Sequence, residues 1–181
     1  MWCFDEHRLG LLPIIRRVWT KKGTVAEALI FPRYQWFYLY AFLHPASGRS
    51  YWLILPRVDV GVFNLALAYF ANHFVEFGKR EALLVHDRAG WHMSSKVKWP
   101  DGVHQVALPP YSPELQPAER LWQLSDEPFV NRSCETIGEM EDIASERCRQ
   151  LMTMTEEVRN LTLYRWWPPD RQINVQQSNP T

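Results

Sequence analysis

Fifteen residues, Leu108 to Trp122, read LPPYSPELQPAERLW, and they fix a strand end, a stiff connection and a helix start within one short stretch. Pro109, Pro110 and Pro113 have no N–H to give to a ladder or a helix, so the run Val103–Leu108 before them has to stop as a strand. Pro117 suits the first helical position, where its missing N–H has no partner in any case. Glu119 then falls in the first turn of that helix. Upstream, Ala82–His86 is a short apolar run that ends at Asp87, between Gly78-Lys79-Arg80 and Ala89-Gly90. That is the pattern of a buried parallel strand whose carboxyl end opens into a loop.

Ahead of these, Met1–Asp5, Arg17–Thr20, Tyr34–Leu43 and Ser50–Leu55 are rich in aromatic and β-branched residues and are separated by turn signals such as Lys22-Gly23 and Pro45-Ala46-Ser47-Gly48. They predict an antiparallel meander. From Asp59 to Phe77, apolar positions 63, 66, 67, 70, 74 and 77 recur at three- and four-residue steps, which predicts an amphipathic helix with Asp59 near its N-cap. Residues 135–151 carry a similar stripe of Ile137, Met140, Ile143, Ala144, Cys148 and Leu151. Strands, a helix, then strands alternating with helices is the order of a mixed α/β sheet flanked by helices. Residues 1–167 are expected to form one domain. Residues 168–181, PPDRQINVQQSNPT, hold almost nothing to bury and are expected to be a disordered tail.

With 46% apolar residues among 181, the chain can bury a core without disulfides or structural metals. Cys3, Cys134 and Cys148 form no metal-ligand or redox motif, which suits a reducing cytoplasm. The longest apolar run, Trp36 to Leu43, falls far short of the roughly 20 residues that cross a bilayer. The net charge is zero, yet residues 1–100 carry 13 Lys and Arg against 7 Asp and Glu, while residues 101–181 carry 7 against 13. A basic face is therefore possible, but a neutral chain has little charge to spare for phosphate neutralisation, and tight DNA binding is expected to reside elsewhere.

Asp5, Asp87 and Glu119 each stand at or near a strand end or helix start, on three separate elements. Three such acids suit divalent cations held against a phosphodiester, because oxygen ligands bind hard cations and the cations neutralise charge on the phosphate. Each acid also has a plain structural role open to it. Asp5 can be a polar strand end, Asp87 a turn starter that bonds its own backbone, and Glu119 the partner of Gln116 in a capping box. His92 is a candidate DNA contact or a partner orienting Asp87, and Trp91 a candidate stacking surface for a base. Lys96 and Lys98, with Arg16, Arg17, Lys21 and Lys22, can follow a phosphate backbone or form ordinary solvated loops.

Together FDEHRLGLLPIIRRVWTKKG, HDRAGWH and LPPYSPELQPAERLW resemble the catalytic domain of bacterial insertion-sequence transposases related to mariner, the DDE superfamily endonucleases, over roughly residues 2 to 165. The resemblance implies a ribonuclease H-like fold, magnesium- or manganese-dependent cleavage of transposon ends, and strand transfer into target double-stranded DNA. It makes Asp5, Asp87 and Glu119 the residues that hold two ions, and it implies a bacterial, nucleoid-associated setting. Two positions depart from the family pattern: Arg88 stands where asparagine is usual, and Gln116 replaces the asparagine before the last proline. Arg88 can grip a DNA phosphate, or pair with the acids and obstruct the site. The family's helix-turn-helix region has no counterpart ahead of Asp5, so the chain is expected to match the catalytic half. A separately encoded helix-turn-helix subunit and a second copy of the chain are then candidate partners. The competing readings are a catalytically silent or regulatory remnant of a split element, and a cellular ribonuclease H or junction nuclease on the same fold.

Overall fold

A computed structural model of the chain describes residues 1–25, 33–73 and 81–168. Its elements run β1 (Trp2–Gly10), β2 (Trp36–His44), β3 (Arg49–Leu55), α1 (Val60–His73), β4 (Ala82–His86), β5 (Val103–Ala107), α2 (Pro117–Ser125), α3 (Ile137–Thr153) and α4 (Thr155–Thr162). The strands form one sheet in the order β3-β2-β1-β4-β5. β1, β2 and β3 are antiparallel, and β4 and β5 run parallel to β1. This is the ribonuclease H-like mixed sheet that the sequence motifs imply. β1 is the central strand, and its first residues are buried on both faces.

Strand alternation divides the core into two layers. Cys3 and Leu9 of β1 join Leu39, Ala41 and Leu43 of β2 beneath α2, α3 and α4. Trp2 and Phe4 join Tyr40 and Phe42 on the opposite face, covered by Phe63, Ala66, Leu67 and Phe70 of α1. Asp59 starts α1 as expected, its Oδ1 accepting the Val62 N–H at 2.9 Å. Thr136 caps α3 by accepting the Glu139 N–H at 3.1 Å. Phe74 and Phe77 of the expected first helix, and residues 169–181 of the expected tail, lie outside the described residues. Among the described residues no helix is long and apolar enough to cross a membrane.

Two expectations change, and one element is added. Arg17–Thr20 is not a strand: β1 continues to Gly10 and pairs there with Trp36, so β2 already occupies the position beside it. Residues 11–25 instead leave the sheet, anchored where Ile14 bridges Val130 and the Asn131 N–H donates to the Ile14 carbonyl at 2.9 Å. Beyond that anchor Trp19 is fully exposed. No helix separates β4 from β5, which are joined by turns across residues 87–102. The short helix α4, lacking a strong sequence signature, packs its Val158 into the core beside Leu151 of α3.

Candidate active site

The parallel register pairs Trp2 with Leu84 and Cys3 with Val85; continued two residues, it sets Asp5 beside Asp87. α2 packs over β1 from the Cys3 face and brings Glu119 to the same place. Asp5, Asp87 and Glu119 line one cleft of about 390 Å³, whose far wall is the proline loop from Leu108 to Pro113. Asp5 is buried at its base, while Asp87 and Glu119 are exposed to it. Tyr111 stands fully exposed on the rim with φ of 56°, a left-handed value uncommon for a non-glycine residue.

Each acid is held by its surroundings. Asp5 Oδ1 accepts the Glu6 N–H at 2.9 Å, and Oδ2 accepts the Trp122 indole N–H at 3.3 Å. Trp122 stacks on His7, whose Nε2 lies 2.7 Å from Asp126 Oδ1. Asp87 Oδ1 lies 2.6 Å from His92 Nδ1 and accepts the Ala89 N–H at 3.0 Å. The capping box open to Gln116 and Glu119 does not form, because Gln116 makes no side-chain cap bond. Its amide instead donates to the carbonyl of Phe4 at 2.9 Å, tying the start of α2 to the residue before Asp5.

The electrostatics follow from this crowding. Burial, then the negative charges of Glu119, Glu6 and Asp87, push the Asp5 carboxyl well above the ordinary range. Burial and Asp87 raise Glu119, against the opposing effect of His7. Burial also acts to raise Asp87, but the bonds from His92 and Ala89 hold it below the ordinary range. His92 is buried, which alone would depress it; hydrogen bonds to Asp87 and Glu6 push it up to about 9.

The donor set fits divalent cations. Mutually repelling carboxylate oxygens at one cleft suit hard ions, and the buried Gln116 Oε1, also in the cleft wall, has no hydrogen-bond partner. His86, Asp87 and His92 also place ligand atoms within 4.8 Å of one another. Their nitrogens are already committed, however, His86 Nδ1 lying 2.6 Å from the Asp87 carbonyl oxygen and Nε2 3.3 Å from Gln105 Oε1.

The residues considered for DNA contact divide into two groups. Lys96 and Lys98 are exposed, and their backbone is clamped to α1 by Asn64, which donates to the Lys96 carbonyl and accepts the Lys98 N–H. Arg88 is exposed in the cleft wall, where its Nε donates to the Leu108 carbonyl at 2.8 Å. Among the described residues no ion pair joins it to Asp5, Asp87 or Glu119, so it does not obstruct them. His92 and Trp91 stand apart from these: the His92 side chain is 0% exposed, and Trp91 is half-buried with its indole N–H donating to Glu6 Oε1 at 3.1 Å. Both turn inward because Glu6, on the face of β1 opposite Asp5, offers a buried acceptor. Glu6, His7 and Trp122 were not singled out from sequence as part of the site. Strand alternation separates Glu6 from Asp5, and the three-residue step from Glu119 to Trp122 was the available signal for the latter.

A family model described as DDE superfamily endonuclease matches residues 1–141. The chain is 28% identical over 139 residues to the uncharacterized protein y4pE/y4sA of Sinorhizobium fredii, covering 72% of this chain and 96% of that one. Among solved structures, the catalytic domain of Mos1 mariner transposase has a TM-score of 0.51 at 13% identity, covering 88% of this chain and 80% of that chain. A pre-cleavage Mos1 transpososome has a TM-score of 0.60 at 14% identity, covering 90% and 56%. The Mos1 mariner paired end complex with Mn has a TM-score of 0.58 at 15% identity, covering 88% and 54%. The chain thus spans about half the length of the transposase chains in those complexes. The structural likeness speaks for the fold, and the family match, running through all three acids, decides membership: the chain belongs to the DDE superfamily of endonucleases and has the fold of a transposase catalytic domain.

Proposed function

We propose that this domain cleaves double-stranded DNA at the ends of a mobile element and joins them to target DNA, with Asp5, Asp87 and Glu119 as the ion-holding residues. The observation that carries this reading is the convergence of these acids, from β1, β4 and α2, on one open cleft. When bound there, two divalent ions, magnesium or manganese, supply Lewis-acid stabilisation of the phosphodiester and an activated hydroxyl nucleophile.

The remaining work falls to the chain itself. Asp5 sits at the base, steered by the Trp122 indole and the Glu6 amide, so its orientation is fixed before substrate arrives. Asp87, just past the end of β4, and Glu119, in the first turn of α2, line the same cleft. Arg88, Lys96 and Lys98 carry exposed positive charge for phosphates, and Arg88 is left free of the acids by its bond to Leu108. The fully exposed Tyr111 ring at the rim offers a surface to sugar or base. Sequence reading of the transposon ends is assigned to a helix-turn-helix region distinct from this catalytic domain, and the assembled form to a homodimer on paired DNA ends.

The test is nicking and joining of DNA by the purified chain with Mg²⁺ or Mn²⁺, using Ca²⁺ as the non-supporting ion. Asp5→Asn, Asp87→Asn and Glu119→Gln should each abolish activity and leave the circular dichroism spectrum unchanged, since each removes an ion ligand and no core volume. Activity that survives Glu119→Gln or excess chelator would sink the reading.

A further inference from the structure

Behind the cleft lies a fourth carboxylate that the cleft itself never touches. Glu6 follows Asp5 on β1 and so points to the other face of the sheet, where its side chain is 6% exposed. Its Oε1 lies 2.9 Å from His92 Nε2 and accepts the Trp91 indole N–H at 3.1 Å. The other ring nitrogen of His92, Nδ1, lies 2.6 Å from Asp87 Oδ1. Glu6, His92 and Asp87 therefore form one unbroken line from the core to the cleft. The ring cannot swing within it, since Phe63, Phe4 and His86 pack around it with centroids 4.5, 5.4 and 5.3 Å away.

This line decides which oxygen Asp87 presents. Oδ1 receives both His92 and the Ala89 N–H, and two donors on one carboxylate oxygen use its two lone-pair directions. Oδ2 keeps its own, on an exposed side chain that lines the cleft. The family match does not distinguish the two oxygens, and Glu6 is separated from any ion by the whole His92 ring.

We propose that His92, anchored from behind by Glu6, is a positioning residue that locks the Asp87 rotamer so that Oδ2 alone is offered to a divalent cation. This rests on the reading of Asp87 as an ion ligand. Partners that orient metal ligands in this way typically alter metal affinity by about 10–100-fold when removed.

The experiment measures Mn²⁺ binding to the full chain, without DNA, from the free-ion signal in electron paramagnetic resonance. Asp87→Asn should weaken binding and serves as the reference. The double variant His92→Phe/Glu6→Leu keeps the ring and removes the buried carboxylate that His92→Phe alone would strand. It should lose about 10–100-fold in Mn²⁺ affinity while remaining folded. Glu6→Gln, which retains an acceptor for His92, should stay within about threefold of the parent chain on the same scale. His92→Gln, too short to bridge both carboxylates, should lose affinity as the double variant does and serves where that variant does not fold. A purely structural His92 would lower thermal stability in these variants and leave the Mn²⁺ affinity of the folded protein unchanged. That result, with Asp87→Asn still weakened, overturns the positioning role. Parental affinity in Asp87→Asn itself overturns the ligand reading beneath it.

Discussion

Gly48 offers a sharp measure of how the sheet is tied to the helices behind it. It ends the β2–β3 turn with φ of 69°, and its N–H donates to the His44 carbonyl at 2.9 Å. A Cβ placed there would lie 1.8 Å from the Thr155 carbonyl oxygen, 2.7 Å from its carbon and 2.9 Å from the Arg159 nitrogen. Ordinary contact begins at 3.4 Å, so Gly48→Ala forces the start of α4 and the hairpin apart by the difference, 1.6 Å. The left-handed backbone costs an alanine about 1–2 kcal/mol. Overpacking adds about 1–3 kcal/mol, and losing the 3.1 Å bond from Arg159 Nε to the Ala46 carbonyl adds about 0.5–1.5 kcal/mol. The expected loss is about 2.5–6.5 kcal/mol, a large share of a domain's total stability. Gly23 supplies the control: its φ is 87° with nothing within 4 Å of a built Cβ, so Gly23→Ala should cost only the conformational term of about 1–2 kcal/mol. Urea unfolding of both variants, in chelator and at one pH, gives the comparison, with the m-value checked for constancy. Equal losses in the two would refute the packing of the hairpin on α4.

Further outcomes follow from the charges. Asp5 and Glu119 are raised in the folded state, so the native chain binds more protons than the unfolded one between the ordinary carboxylate range and the raised values. Stability of the ion-free protein should therefore fall as pH rises through that window; Asp87, held low, acts in the opposite sense. Asp5→Asn should flatten the fall in urea midpoints taken from about pH 4 to about pH 8, and an unaltered slope would count against the crowding of charge. His92, pushed up to about 9, contributes stability that is complete below its unfolded value and is lost as pH rises through about 9. On DNA, a neutral chain should bind weakly and without sequence preference. Lys96→Ala and Lys98→Ala should each reduce the slope of log affinity against log salt by about 1. Arg88→Asn should act in the same way with little effect on stability, and an unchanged slope would remove these residues from the DNA path.

Much of this arrangement was legible along the chain, and the reason is local. Prolines at 109, 110, 113 and 117 set a strand end and a helix start through their own backbone limits, so Glu119 was placed on the first turn of α2 without reference to the rest of the fold. The short run ending at Asp87 and the apolar stripes of α1 and α3 were equally local. Tertiary structure decided what depends on partners distant in sequence. Arg17–Thr20 has strand-like composition, yet β2 pairs with β1 as far as Gly10 and Trp36, and among the described residues no strand pairs with Arg17–Thr20. Gln116 looked like a cap and became a tie to Phe4, 112 residues away. His92, read as a DNA contact or a partner of Asp87, bonds Asp87 and also a glutamate 86 residues earlier, and Trp91, read as a stacking surface, bonds that same glutamate. Local propensity is set by a residue and its immediate neighbours, whereas the destination of a buried polar side chain is set by the acceptor that folding brings to it, because a buried donor or acceptor left without a partner costs more than most local preferences can repay.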